Sequence, residues 1–215
     1  MSSELPSETP VQPAPPTLVE RLGLPATISR EEIALLPLTR FEGPIHLIQS
    51  NPEVGPAVEA LLRETVLGVD TETRPSFRRG QFYLPSLLQA ATDRAVFLFQ
   101  LDKLDPARVL KPVFGEARVV KAGIAFTQDV KELQRLCPFS AENIVDLSVV
   151  ARKAGLVHTG LRNMTGMFLK ARVSKGAQVS DWSAPTLSKA QIEYAATDAW
   201  ITRELYFRFA QLGLM

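Results

Sequence analysis

The apolar positions of this chain change rhythm several times, and each change marks an element. PIHLIQS (44–50) predicts a strand, after which Asn51 or Pro52 opens a helix that ends near Glu64. VLGVDTET (66–73) is a β-branched run and predicts a second strand, which carries Asp70 and Glu72. LPSLLQAAT and RAVFLFQL predict two more strands joined by a short polar turn at Thr92–Arg94. DPARVLKPVF predicts a short helix, ARVVKAGIA another strand, and TQDVKELQRLC the helix that follows it. IVDLSVVARKAG and LRNMTGMFL predict helices. The last long segment, SKAQIEYAATDAWITRELYFRFAQL, predicts a helix with a clear start: Ser188 followed three residues later by Gln191 is a capping box. Ile192, Ala196, Ala199 and Leu205 recur there at helical spacing. A meander of strands followed by alternating strands and helices predicts an α/β fold, a mixed β-sheet flanked by helices in a single domain.

The N-terminal flank breaks this regularity. The first 16 residues hold five prolines, and Thr9 and Val11 are their only β-branched residues. Such a stretch buries too little surface to offset its ordering entropy. Residues 1–20 are therefore expected to be a disordered Pro-rich tail, 21–42 an N-terminal extension, and 43–215 the folded domain. Across the boundary of the two, LVERLGL (18–24) can form a short amphipathic turn, and Pro25 and Pro37 interrupt anything longer. The start lacks a basic and then apolar leader, so no secretory signal is expected. No run of about 18 apolar residues exists, so no membrane span is expected.

Composition changes the picture little. The 215 residues carry 24 Lys+Arg against 23 Asp+Glu, which excludes a uniformly basic nucleic-acid coat and an acidic disordered chain. Cys137 is the single cysteine, which fits a reducing cytoplasm, the expected location. Charge becomes informative only locally. Residues 147–180 contain no acid but hold Arg152, Lys153, Arg162, Lys170, Arg172 and Lys175, and Arg74, Arg78 and Arg79 lie in an acid-free stretch after Glu72. Each fits a solvated face as well as phosphate neutralisation, which would make binding salt-dependent. Phe77, Phe82 or Tyr83 offers an aromatic surface for an unpaired base, or a core residue.

The candidate chemistry lies in scattered carboxylates. Asp70 and Glu72, two apart on a strand, share a face. Alone they fit a solvated strand end or a metal site. Tyr194 and Asp198, four apart on the last helix, also share a face. Asp129 falls at a helix start, where an acid is favoured by the helix dipole in any case. Together, four converging carboxylates would supply the oxygen ligands that suit hard divalent cations. His46 and His158 have no partner at metal-ligand spacing, and no phosphate-binding glycine loop is present, so no nucleotide cofactor is expected.

These motifs resemble those of the 3′–5′ exonucleases named after their four acids, in the subtype with tyrosine in the third motif. Ribonuclease D, the proofreading domain of family A DNA polymerases and the exonuclease domain of the Werner syndrome helicase belong to that group. The first motif is Asp70-Thr71-Glu72, the second ends at Asp129 in KAGIAFTQD, and the third is Tyr194-Ala195-Ala196-Thr197-Asp198-Ala199. Pro75, Gly80 and the lead-in Asp181-Trp182-Ser183 resemble the Werner-type branch. Ala125 stands where many proofreading domains have Asn, a residue that the Werner type also lacks. The resemblance spans about Gly43 to Leu212. It implies a ribonuclease H-like fold and two Mg²⁺ or Mn²⁺ ions held by Asp70, Glu72, Asp129 and Asp198, with Asp70 bridging them. It further implies a Tyr194-oriented water and release of nucleoside 5′-monophosphates from single-stranded 3′ ends, with a lean toward DNA over RNA. Thr71, Arg78, Arg79, Arg172 and Lys175 are the candidate nucleic-acid contacts. A ribonuclease D-like enzyme trimming RNA, and a module that binds nucleic acid without cleaving it, are the alternatives. Oligomeric state is left open.

Overall fold

Val66, Leu67, Gly68 and Val69 are all buried, so the strand they form lies inside a sheet covered on both faces. In the computed structural model, which describes residues 16–215 apart from 77 and 79, that strand is central. Among the described residues the strands are β1 (Ile45–Ile48), β2 (Val66–Thr73), β3 (Pro85–Ala91), β4 (Val96–Gln100), β5 (Val120–Gly123) and β6 (Ile144–Asp146). They form one sheet in the order β1-β4-β3-β2-β5-β6. β2, β3 and β4 pair antiparallel as the meander predicts, while β1 joins β4, and β5 and β6 extend from β2, all in parallel.

The helices are α1 (Leu18–Arg21), α2 (Arg30–Leu35), α3 (Asn51–Leu61), α4 (Ala107–Gly115), α5 (Thr127–Leu136), α6 (Leu147–Ala154), α7 (Leu161–Met164) and α8 (Lys189–Gln211). Val54, Leu61, Val109, Phe114 and Leu133 of α3, α4 and α5 form one core with Leu67, Val69, Leu88 and Phe99 of the sheet. On the other face α8 lies along β2 and β3, and its Ala195, Ala196 and Ala199 pack with Leu87, Ala91, Leu98 and Trp182. α6 and the segment after α7 pack on the far end of α8 through Leu147, Ala151, Phe168 and Phe209. No helix among the described residues is long and apolar enough to cross a membrane.

Small residues let α8 approach the sheet closely. A Cβ at position 68 would lie 2.2 Å from the Ala199 carbonyl oxygen and 2.6 Å from the Arg203 nitrogen. Arg203 fastens the same crossing: its Nε donates to the Val66 carbonyl at 3.2 Å, and its guanidinium pairs with Glu64 at 3.3 Å. The expected capping box is present, Ser188 Oγ accepting from Gln191 N and Gln191 Oε1 from Ser188 N.

Three elements differ from the sequence pattern. Ile144–Asp146, inside a stretch whose pattern predicts a helix, is the edge strand β6. Three residues are too few to show alternation, and Asp146 caps α6, so the helix starts only at Leu147. The stretch expected as one helix from Leu161 widens into π-type turns over Thr165–Leu169. The tail boundary falls earlier than residue 20: Thr17 caps α1 (Leu18–Arg21), the short turn that LVERLGL allows, and Val19 is buried against α6 and α8. Residues 1–15 lie outside the described residues.

Replacing Gly68 by Ala forces α8 off the sheet. The expected outcome is a loss of about 2 kcal/mol of stability, read as a fall of roughly 4–8 °C in Tm for a domain of this size.

Candidate active site

Strand alternation sends Asp70 and Glu72 toward α8, and the close crossing at Gly68 brings Asp198 to meet them. One carboxylate oxygen from each of Asp70, Glu72 and Asp198 lies within 4.8 Å of the others. Asp70 and Glu72 are half-buried, whereas Asp198 is only 5% exposed. Tyr194, one helical turn before Asp198, lines the same cleft of about 490 Å³. The tyrosine ring is backed by Trp182 at a centroid distance of 6.0 Å.

Asp129 is placed differently. Thr71 faces away from Asp70 and Glu72, and its hydroxyl donates to the Asp129 carboxylate. Asp129 thus stands beside the three-acid cluster without belonging to it, although its charge reaches Asp70 and Glu72. The turn that carries it is fixed by Asp146, whose carboxylate accepts from Ala125 N, Thr127 N and Thr127 Oγ1 at 3.1, 3.2 and 2.8 Å. Gly123 keeps that turn tight, since a Cβ there would lie 2.3 Å from Phe126.

Burial is the main electrostatic fact of the site. It pushes Asp70 well above the usual carboxylate range, helped by Asp198 and then Asp129. Burial, then Asp70, Asp198 and Asp129, raises Glu72 to about 9. Burial raises Asp198 to about 7, opposed by the neighbouring Tyr194 hydroxyl. Asp129 is raised by burial and pulled back by Thr71. Burial and then Asp198 and Glu72 push the Tyr194 phenol above its ordinary value, so it stays protonated. Crowding and burial favour the protonated form of each of these acids unless a cation offsets their charge. Their donor set is all carboxylate oxygen, which fits a hard divalent ion and not a thiolate- or imidazole-seeking one.

The expected nucleic-acid contacts scatter. Lys175 lines the cleft, together with Arg162. Thr71 also lines it, but its hydroxyl is bonded to Asp129. Arg78 lies instead in a separate groove with Arg74, Gln81 and Tyr83, where Arg74 stacks over the Tyr83 ring at 5.1 Å. Arg172 is turned to the N-terminal segment, its Nε donating to the Leu36 carbonyl at 2.9 Å. Arg79 and Phe77 lie outside the described residues. Phe82 is 52% exposed beneath Arg135.

Arg30 and Asn163 are cleft residues that the sequence pattern does not single out. Arg30 opens α2, and its signal is the capping box Ser29–Glu32 just around it. Asn163, inside α7, and Asp146, at the end of β6 and the cap of α6, carry no spacing signal.

The fold and the site define an α/β domain with an all-oxygen acid cluster at the end of its central strand. Residues 45–212 match the family model described as 3′–5′ exonuclease, and the chain belongs to that family. It is 33% identical over 172 residues to ribonuclease D of Gluconacetobacter diazotrophicus, covering 77% of this chain and 42% of that protein. It is 28% identical over 190 residues to the exonuclease mut-7 homolog of Aedes aegypti, covering 77% of this chain and 26% of that protein. The chain therefore spans less than half the length of these curated relatives. In fold it is similar to the Nibbler EXO domain of Aedes aegypti, with a TM-score of 0.73 at 24% identity, over 81% of this chain and 92% of that one.

The raised carboxyl groups fix the sign of a pH effect in the cation-free protein. The folded state keeps protons that the unfolded chain has released above about pH 4, so stability falls as pH rises from there through the folded values of about 7 and about 9. Thermal unfolding in EDTA should give a higher Tm at about pH 5 than at about pH 9. Excess Mn²⁺ should shrink the difference by replacing the protons.

Proposed function

We propose that this domain is a metal-dependent 3′–5′ exonuclease that removes nucleoside 5′-monophosphates from single-stranded 3′ ends. One observation carries this reading. Asp70, Glu72 and Asp198 meet beside Tyr194 in a cleft that also presents Arg30, Arg162 and Lys175, so an anionic chain end and the cations that neutralise it have complementary places.

Asp70, Glu72 and Asp198 would hold a divalent cation, Mg²⁺ or Mn²⁺, and Asp129 would help hold a second. Such ions, when bound, lower the pKa of water and offset charge on the phosphoryl oxygens. The chain's own groups do the rest. Arg30, Arg162 and Lys175 draw in the phosphates and hold the strand against the acid cluster. Tyr194 stays protonated, so its hydroxyl orients the attacking water by hydrogen bonding and does not act as a strong base. The water oxygen bonds to phosphorus, the bond from phosphorus to the 3′ oxygen of the penultimate nucleotide breaks, and that oxygen leaves with a proton. Gly68 and Arg203 keep Asp198 fixed over Asp70, which supplies the preorganisation such a reaction needs.

The second-motif glycine and the Pro75–Gly80 spacing lean toward DNA. The 33% identity to a ribonuclease D favours RNA as the second reading. Matched 5′-labelled DNA and RNA oligonucleotides, incubated with Mg²⁺, Mn²⁺ or EDTA, decide between them. A ladder shortening from the 3′ end on one substrate, absent in EDTA, is the expected result. Asp70→Asn and Asp198→Asn should lower trimming by roughly a hundredfold or more with the fold intact by circular dichroism. Tyr194→Phe should lower turnover and leave cation binding unchanged. Full trimming by the aspartate variants would sink the proposal.

The basic residues divide into two classes by position. Arg30→Ala and Lys175→Ala should each weaken oligonucleotide binding and reduce the slope of log affinity against log salt by about 0.7, the increment for one phosphate contact on a single strand. Arg172→Ala should leave that slope unchanged and lower Tm, because its guanidinium serves the Leu36 carbonyl. Fluorescence anisotropy across a salt series measures the first effect.

A further inference from the structure

Among the described residues, three buried side-chain polar atoms have no hydrogen-bond partner: Gln89 Nε2, Gln89 Oε1 and Trp182 Nε1. Both residues are 0% exposed. Buried polar groups left unpaired are costly and rare, so a fully buried glutamine with both ends orphaned calls for a physical reason.

Its position supplies one. Gln89 on β3 is the direct cross-strand partner of Asp70 on β2. Opposed residues of an antiparallel pair project from the same face with Cβ atoms about 4.5–5.5 Å apart. Gln89 therefore stands on the α8 face of the sheet, between Leu87 and Ala91 of its own strand and beside Leu98 of β4. Those three pack with Trp182 in one apolar cluster. In that layer Asp70 is the charged group next to Gln89. The Asp70 Oδ1 already accepts the Thr71 backbone N–H at 2.9 Å.

The orphans match in sense. The indole N–H is a donor, the amide oxygen an acceptor, the amide nitrogen a donor, and a carboxylate an acceptor. We propose that Gln89 is a positioning residue for Asp70: in the cation-bound site its Nε2 donates to the Asp70 carboxylate, and its Oε1 takes the Trp182 N–H. This inference rests on the metal-site reading of Asp70. Trp182 also backs the Tyr194 ring, so the same chain of contacts ties the water-orienting tyrosine to the first carboxylate.

The test uses Gln89→Met, which keeps the unbranched reach and removes both polar atoms, with Gln89→Leu as a second variant in case methionine packs badly. Mn²⁺ affinity is measured by calorimetric titration, and Tm is measured in EDTA. Wild type should bind Mn²⁺ and Asp70→Asn should not; failure of that control would overturn the metal reading itself. Given the control, the variants should bind Mn²⁺ roughly tenfold more weakly or worse, while their Tm in EDTA stays equal to or above wild type, since an orphaned amide has been replaced by apolar surface. Wild-type Mn²⁺ affinity in a folded variant would overturn the inference. So would a fall in Tm with affinity unchanged, the result expected if a trapped water or simple packing occupies Gln89.

Discussion

The site depends on one contact in which a helix backbone rests on a strand backbone. At Gly68 no side chain separates β2 from α8, and the Ala199 carbonyl sits where a Cβ would be. Asp198 immediately precedes Ala199, and Asp70 lies two residues beyond Gly68 on the same strand face. The approach that buries these small residues is therefore the one that sets Asp198 over Asp70. Ala195 and Ala196 keep the helix low along the adjoining strand, and Arg203 locks the crossing from its far side. A bulkier residue at any of these positions would separate the acids by lifting the helix, without touching a carboxylate.

That geometry works against the mutual repulsion of the carboxylates. Three carboxyl groups held within 4.8 Å, one of them almost fully buried, are favourable only when protonated or bridged by a cation. The apolar packing of α8 supplies the opposing free energy, so the fold holds a repulsive arrangement that a bound cation would relieve. The near-neutral total of 24 basic and 23 acidic residues conceals this separation of fields. Acids collect at the end of β2. Arg30, Arg162 and Lys175 come from three different segments to face them across the cleft.

Much of this was legible in the sequence, for definite reasons. β2, β3, β4 and α8 carry long, strongly patterned runs, and the capping box at Ser188 marks the helix start to the residue. The acid-x-acid and Tyr-x-x-x-Asp spacings show which side chains share a face, and the structure places Asp70, Glu72 and Asp198 together. β6 was illegible because three residues show no period and their hydrogen bonds come from β5, a long-range partner. Arg172 and Arg78 looked equivalent to Lys175 because charge along a chain carries no direction; the fold turns one to Leu36 and the other to a separate groove. Gln89 was invisible for a similar reason. A lone glutamine in an apolar strand acquires meaning only through register, once β3 is paired with β2 so that it opposes Asp70.

The N-terminal segment shows where the boundary of the site departs from the boundary of the family match. The match begins at residue 45, yet the chain before it is bound to the cleft. Thr39 N donates to the Arg172 carbonyl and Arg172 N to the Pro37 carbonyl, both at 2.9 Å, forming a short parallel bridge. Phe41 N donates at 3.2 Å to Thr197 Oγ1, on the residue before Asp198. Between this strap and α8 lies a second cavity of about 230 Å³, lined by Leu38, Thr39 and Arg40 on one side and by Glu193, Tyr194 and Asp198 on the other. Tyr194 and Asp198 thus form a wall shared by two spaces, the acid cleft made by the sheet and a pocket that exists only because the strap is there. The segment expected as an extension is thus tied by its hydrogen bonds to Arg172 and Thr197 and forms part of the surroundings of the tyrosine.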